Sequence, residues 1–219
     1  MTTPIKPLSA PKMAVRTAII LLVFVVIFTG LLAAAYLGTR PAIEAAAAQE
    51  KMKLIDEILP RSQYDNALLK DTLTLGAVPA FGLEGETTIY RARKNGQPVA
   101  LVHEAIAPDG YAGKIRLLIA IAADTSILGV RVVAHKETPG LGDYIEIKKD
   151  KNKERPWITQ LNGTQPAAMD ERAWKVKKDG GQFDSVAGAT ITPRAVLKAV
   201  RKAAQYVAEN REKLFKETK

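Results

Sequence analysis

The first forty residues contain the longest apolar stretch of the chain. Residues 17–37 carry no charge and are almost all hydrophobic, and a helix of this length can cross a bilayer. A helix buried in a soluble core would normally show a polar face, and this one shows none. The pattern predicts a transmembrane helix over residues 17–38. A cleaved signal peptide is the alternative, since small residues at 45–48 could supply a cleavage site, but the apolar stretch exceeds the usual ~7–15 residues of a signal core.

The next segment, residues 39–86, is expected to join the membrane helix to a folded domain. Pro41 suits a first helical turn, the alanines that follow favour helix, and Pro60 ends it. This helix is expected to run on from the membrane helix as a stalk. Residues 61–86 contain scattered Gly and Pro without a sustained period, so they predict a helix fragment and loop.

From residue 87 onward the pattern changes to short strands. Four apolar or alternating runs are separated by turn signals, of which Asn95-Gly96 is the strongest. These runs, at 87–93, 99–107, 115–123 and 127–134, predict an antiparallel meander with a turn at 108–110. A last helix is expected from about Pro193 to Lys216, with an apolar stripe spaced four, three and four residues apart. Residues 87–219 are therefore predicted to form one α+β domain.

Charge sets the expected topology and argues against nucleic acid. The chain has 32 Lys+Arg and 23 Asp+Glu, a net charge of +9, and the excess lies at its two ends. Lys6, Lys12 and Arg16 precede the apolar stretch, so the positive-inside rule predicts a cytoplasmic N-terminus over residues 1–16 and an exported C-terminal domain. Basic residues at the ends of a membrane protein suit topology and a solvated helix face better than a DNA-binding stripe.

Several kinds of chemistry are disfavoured by what the sequence contains. There is no cysteine, which excludes disulfides and cysteine-ligated clusters on this chain. The Gly140-Leu141-Gly142 run lacks the third glycine of a dinucleotide fingerprint, because Ile145 stands there. The two histidines, His103 and His135, are interpreted as structural, since they neither form a metal-ligand pattern nor accompany a nucleophile motif. No catalytic residue and no metal ligand is assigned.

Residues 184–190 read Asp-Ser-Val-Ala-Gly-Ala-Thr and end just before the last helix. The small residues Gly188 and Ala189 leave the Thr190 hydroxyl open to a large group. Thr192 and Pro193 suit the N-cap and first position of the helix. A phosphate on Thr190 would lie near the positive end of that helix.

This run resembles the flavinylation motif of proteins that carry FMN on a threonine through a phosphoester bond. The motif is Asp, two variable residues, a small residue, then Gly-Ala-Thr, and Ala187 takes the small position. The resemblance implies that Thr190 carries FMN and that Asp184 belongs to the recognition sequence of a separate flavin transferase. Ala187, Gly188 and Ala189 would adjoin the cofactor.

A second resemblance lies at residues 135–142, which read His-Lys-Glu-Thr-Pro-Gly-Leu-Gly. They are similar to the second signature of the FMN-binding domain in the RnfG family, the flavoprotein of the Rnf electron-transport complex, and in the related NqrC family of the sodium-pumping NADH:quinone reductase. The Gly-Tyr-Ala-Gly turn at 110–113 is similar to a third family element. The resemblance implies that FMN lies between the two loops and meets Glu137, Thr138, Gly140 and Leu141.

The resulting hypothesis is a single-pass subunit of an Rnf-type complex in the bacterial inner membrane. Its exported domain would be periplasmic, and FMN would relay electrons to or from other membrane subunits. The alternatives are an NqrC-type protein of the sodium-pumping reductase and, in another class, a cofactor-free anchored interaction or assembly domain. An anchored hydrolase is a third alternative, but it lacks an identifiable nucleophile–base pair.

Overall fold

The computed structural model describes residues 10–216, and Lys6, expected to help set the topology, lies outside the described residues. Contacts divide the chain into two compact units, residues 1–51 and 52–219. The predicted α+β class is confirmed: one long apolar N-terminal helix precedes an antiparallel sheet with flanking helices.

Helix α1 spans Ala10–Ile58. The first unit contains this helix up to residue 51, and its last turns belong to the second unit. The helix has 49 residues in all. Its most apolar 18-residue window has a mean hydropathy of 2.9 and is not buried within the protein. Pro41 lies inside this helix, so the predicted stalk helix continues from the apolar segment without a separate first turn. Arg40 pairs with Glu44 one turn later, at 2.7 Å.

The second unit is built on a five-stranded antiparallel sheet whose strands lie side by side in chain order. Four strands were predicted; the additional one is the first. Their bounds are β1 Thr72–Leu75, β2 Thr87–Lys94, β3 Gln97–Gly110, β4 Gly113–Ala122 and β5 Ile127–Ala134.

The turns of the sheet follow the sequence in one hairpin and differ from it in the next. Asn95 and Gly96 both have positive φ, 51° and 75°, as a two-residue hairpin turn between β2 and β3 requires. The expected turn at 108–110 is displaced, because β3 continues to Gly110 and pairs there with Gly113. Tyr111 and Ala112 therefore form the tip of this hairpin.

Both faces of the sheet are covered, which explains why β4 is apolar on both sides. Its residues Ile115, Leu117, Ile119 and Ile121 belong to the larger core under α2, whereas Leu118 and Ala120 face a smaller core. The smaller core contains Ile55, Ile58 and Leu59 from the end of α1 and the residues after it. The chain from Met52 onward thus belongs to the sheet-containing unit.

Close approach of α1 requires a glycine on β5. A Cβ atom on Gly129 would lie 2.8 Å from the Cβ and Cγ2 atoms of Ile58. Because such contacts are shorter than real carbon–carbon contacts, a larger residue would push this helix end away from the sheet.

The helical end of the chain differs from the single helix that was predicted. Helix α2 is Ile191–Glu209, helix α3 is Arg211–Phe215, and Asn210 separates them. The apolar stripe is confirmed, since Val196, Val200, Ala203 and Val207 are all fully buried.

An ion-pair cluster fixes the chain just before β1. Asp71 accepts hydrogen bonds from Arg91 Nε at 2.7 Å and from Arg93 Nε at 2.8 Å, and both arginines are buried. Burial alone would raise the pKa of Asp71, but the hydrogen bonds and charges of Arg93 and Arg91 outweigh it, so the pKa lies below its usual value of 3.8.

We predict that Asp71→Asn destabilises the protein by about 3 kcal/mol, because it removes the negative charge to which two buried guanidinium groups are bound. The contribution of the carboxylate is present at neutral pH and is lost as pH falls through its lowered folded-state pKa. Thermal unfolding of the detergent-solubilised chain at several pH values measures both effects. Glu84→Gln, which removes an exposed pair with Lys114, is the control and should change little. Equal unfolding temperatures for the two variants would contradict the prediction.

Candidate functional site

A cavity of about 220 Å³ opens where three loops of the second unit meet. These are the tip of the β3–β4 hairpin, the loop that follows β5, and the turn that precedes α2. The cavity is lined by Tyr111, Glu137, Thr138, Leu141, Gly142, Gly188, Ala189, Ile191 and Thr192. The cavity thus brings together five of the residues singled out in the sequence: Glu137, Thr138, Leu141, Gly188 and Ala189. Ala187 and Gly140 belong to the same loops but do not line the cavity.

Thr190 does not itself line the cavity, but its two neighbours in the chain, Ala189 and Ile191, do. Thr190 occupies the N-cap position of α2, which begins at Ile191, and its side chain makes no capping hydrogen bond. Only 7 % of the residue is exposed. Since the first N–H groups of a helix lack intrahelical partners and carry partial positive charge, this position favours a negatively charged group.

The predicted cap at Thr192 is wrong, because its hydroxyl has another partner. Thr192 is the second residue of α2 and is buried. Its hydroxyl donates a hydrogen bond to Glu137 Oε2. The helix therefore starts two residues earlier than the Thr-Pro pair suggested, and Thr190 becomes its N-terminal neighbour.

Glu137 joins all three loops. Its side chain is buried, with 3 % of the residue exposed. Its Oε1 accepts from the backbone N–H of Ala112 at 3.0 Å, and its Oε2 accepts from Thr192. A Cβ on Gly142 would lie 2.9 Å from Oε2 and 2.8 Å from the Thr192 hydroxyl. The carboxylate is thus enclosed and already bonded, which makes it a support of the cavity wall.

The loop after β5 is held by its own hydrogen bonds. The backbone oxygen of Thr138 accepts from Leu141 at 3.1 Å and from Gly142 at 3.0 Å. Gly140 has a φ of 76°, and its N–H donates to the buried Asp143 at 2.8 Å. Leu141 remains 49 % exposed at the top of this loop. The loop thereby presents an apolar side chain at the rim of the cavity.

The turn before α2 is clamped by Tyr144. Ala189 N–H donates to Val186 O at 3.0 Å, and Gly188 takes a φ of 82° that glycine adopts without strain. The Tyr144 hydroxyl donates to Ala189 O at 3.3 Å and accepts from Val186 N–H at 3.4 Å. Burial raises the pKa of Tyr144 to about 12, so this hydroxyl keeps its proton at neutral pH.

Asp184 lies at the other end of the motif and its side chain is accessible. The carboxylate is 60 % exposed and pairs with Lys177 at 2.6 Å. Its backbone is fixed, because Trp157 Nε1 donates to Asp184 O at 2.6 Å and Asp184 N–H donates to Gln160 at 2.9 Å. Trp157 also packs edge-on against Tyr144. A rigid backbone with an exposed carboxylate suits recognition by another protein.

The two histidines lie outside the cavity lining. His103 is buried in β3 and stacks on Phe81 with ring centres 4.2 Å apart; burial lowers the pKa of His103 to about 4. His135 Nδ1 accepts from the Glu137 N–H at 3.0 Å and so supports the loop. Within residues 10–216, no group of three or more His, Cys, Asp or Glu residues is arranged to hold a metal ion.

Sequence comparison identifies the class of this domain. A family model described as an FMN-binding domain matches residues 110–205, a range that contains all three loops of the cavity. A second model, described as the RnfG N-terminal region, matches residues 1–58.

Curated relatives are similar over most of their length. A protein of Pseudoalteromonas atlantica is 42 % identical over 91 % of both chains. One of Vibrio cholerae is 41 % identical over 91 % of this chain and 92 % of its own, and one of Pseudomonas aeruginosa is 43 % identical over 91 % of both. All three are named as component G of the ion-translocating oxidoreductase complex, and the chain belongs to this family, RnfG.

Among solved structures, NqrC of Shewanella oneidensis is similar with a TM-score of 0.46. The two sequences are 21 % identical, and the match covers 70 % of this chain and 72 % of the other.

We predict that Glu137→Ala destabilises the protein by about 2 kcal/mol, because it leaves the buried Thr192 hydroxyl without its acceptor and removes the bond to the Ala112 N–H. Glu137→Gln should cost only about 1 kcal/mol, since its oxygen still accepts from Ala112 and its N–H can donate to Thr192. Thermal unfolding of both variants makes the comparison. An alanine variant as stable as the glutamine variant would show that this carboxylate does not hold the loops together.

Proposed function

We propose that the chain is the electron-carrying flavoprotein subunit of an ion-translocating oxidoreductase complex, with FMN attached to Thr190 through a phosphoester. The observation that supports it most strongly is the position of Thr190, at the start of α2 and beside the cavity within the FMN-binding domain. The wider assignment to an ion-translocating complex follows from membership of the RnfG family.

The cavity fits part of the cofactor. Pockets that enclose a whole ligand of this size usually measure ~300–1,000 Å³, and this one measures about 220 Å³. The remainder of FMN would lie against the rim, where Tyr111, Leu141 and Ile191 are 67 %, 49 % and 46 % exposed. Exposed apolar side chains of this kind would suit a flat aromatic ring.

Different residues of the site would hold different parts of FMN. Thr190 would carry the phosphoryl group, and the first N–H groups of α2 would face its charge. Glu137, Thr138 and Gly142 would form the wall, with Leu141 on one side of the ring. When bound, FMN supplies the redox chemistry, and the chain supplies attachment, orientation and surroundings. No side chain of the site is required as a proton donor or acceptor.

Attachment requires a second protein in this proposal. A phosphate monoester does not condense with a hydroxyl in water without activation, so we propose an activated donor, a flavin whose FMN half is joined to a second nucleotide by a pyrophosphate. Thr190 Oγ1 would replace that nucleotide on phosphorus, and the hydroxyl proton would be released. The exposed Asp184, on its fixed backbone, is the proposed contact for the transferase.

The proposed location is the bacterial inner membrane. Helix α1 is the candidate for a membrane span within residues 10–216, and Lys12 and Arg16 lie before its apolar part. The positive-inside rule then puts the N-terminus in the cytoplasm and the FMN-binding domain in the periplasm. An NqrC-type identity is not favoured, since the relatives with over 40 % identity are named as components of the ion-translocating oxidoreductase complex.

We predict that Thr190→Ala abolishes flavin fluorescence on the denatured protein band, when the chain is produced in a host with the flavin transferase. Thr190→Ser should retain fluorescence, because it keeps a hydroxyl at the same place. Thr192→Ser is the matched control: its hydroxyl keeps the bond to Glu137, so labelling should remain. Fluorescence that persists in the alanine variant would contradict attachment at Thr190.

We also predict that alkaline phosphatase fused after Lys219 is active, because export allows this enzyme to fold in the periplasm. Lys219 itself lies outside the described residues. The mature protein should keep its anchor and begin near Met1 when its N-terminus is sequenced. An inactive fusion, or a soluble mature chain that begins near Gln49, would overturn the proposed topology.

A further inference from the structure

A second concave surface lies along α2, apart from the FMN cavity. This basic groove has a volume of about 490 Å³ and runs between α2 and the segment 171–179, and it shares no lining residue with the cavity at Thr190. Its floor is formed by Trp174, Val176 and Leu197, all buried. Trp174 Nε1 donates to Leu197 O at 2.7 Å, so the floor is a closed part of the core and the accessible groups of the groove are those of its rim.

The rim of the basic groove carries an excess of positive charge. Five basic and two acidic residues line it: Lys175, Arg194, Lys198, Arg201 and Lys202, with Glu171 and Asp179. Asp179 accepts two hydrogen bonds from Arg194, at 2.7 Å and 2.6 Å. Lys198 forms an ion pair with Asp109.

Three cations of the rim form no ion pair with an acidic residue within residues 10–216: Lys175, Arg201 and Lys202. Arg201 Nη1 is buried without any hydrogen-bond partner in that range. The rim therefore carries three more basic than acidic residues, and Asp179 offsets part of the charge of Lys175.

The spacing of the cations indicates the length of a suitable ligand. Arg194, Lys198 and Lys202 follow one another at four-residue intervals on α2 and share one face. They extend over about 12 Å, which is more than one phosphate group spans. A peptide segment with several carboxylates, spaced over a similar length, matches this rim.

We infer that the basic groove is a docking surface for an acidic segment of another subunit of the same complex. The inference rests on the proposed function only in that the chain works within a multisubunit assembly. It assigns a role to residues 194–205 of α2, which come after the cavity-lining turn in the sequence. The segment would place its carboxylates against Lys175, Arg201 and Lys202.

The test reverses two cations that make no hydrogen bond or ion pair with the described residues. Lys175→Glu/Lys202→Glu is produced in the full chain together with the other subunits, one of which carries the purification tag. The amount of this chain retained in the purified complex should fall about tenfold or more, since like charges now face each other. The matched control is Lys149→Glu/Lys151→Glu, two exposed lysines in another loop with the same change of charge, and it should retain the chain normally.

Two further measurements make the result decisive. FMN content per chain should stay at the level of the unaltered protein, which separates this docking surface from the flavin site. Lys175→Gln/Lys202→Gln, a milder change, should lose less of the chain, and the loss should grow with salt concentration. If circular dichroism shows that the glutamate variant is misfolded, the glutamine variant decides.

The inference is overturned if the groove and control variants are retained equally. It is also overturned if retention is normal and FMN content falls, because the groove would then serve the flavin transferase.

Discussion

The candidate site depends on one buried carboxylate. Glu137 accepts one hydrogen bond from the β3–β4 hairpin and another from the second residue of α2, while its own backbone belongs to the third loop. Three segments that are far apart in sequence thus meet at a single side chain. Because a buried carboxylate is stable only when its oxygens have partners, the two loops and the helix start must keep their positions relative to one another. This arrangement fixes the start of α2, where Thr190 lies.

A second set of contacts fixes the turn that presents Thr190. Tyr144 binds the turn at both ends, and Trp157 holds the backbone at Asp184. These contacts hold the turn before α2 in place. At the rim of the cavity, by contrast, the side chains of Tyr111, Leu141 and Ile191 are exposed. If Thr190 carries FMN as proposed, a site built this way would restrain the attachment point and leave the rest of the cofactor accessible. Accessibility is what an electron carrier needs when its donor and acceptor are other subunits.

Much of the sheet could be predicted from the sequence, and its first strand could not. Alternating and apolar runs with an Asn-Gly turn predicted four strands, since side-chain period and turn chemistry are local properties. Strand β1 has only four residues and lies at the edge of the sheet. Its position depends on Asp71 and its two distant arginine partners, which no local pattern reveals.

The residues of the site divide in the same way. Those in local motifs could be predicted from the sequence, and those positioned by distant contacts could not. The two loops were found because their residues resemble known signatures. The helix start was misplaced, because the Thr-Pro pair fits a cap locally while the hydroxyl of Thr192 is bound by Glu137, 55 residues away. Tyr144 and Trp157 were missed for the same reason. Their roles arise from contacts 45 and 27 residues apart in the chain, and nothing beside them in the sequence marks either one.

The most direct measurement of the central claim is the mass of the tryptic peptide 179–194, taken from membranes of a host that has the flavin transferase. This peptide contains Ser185, Thr190 and Thr192, so fragment ions must distinguish three hydroxyl groups. The account predicts a mass increase equal to FMN less one water, on Thr190 alone. An unmodified peptide, or the same mass on Ser185 or Thr192, would contradict it.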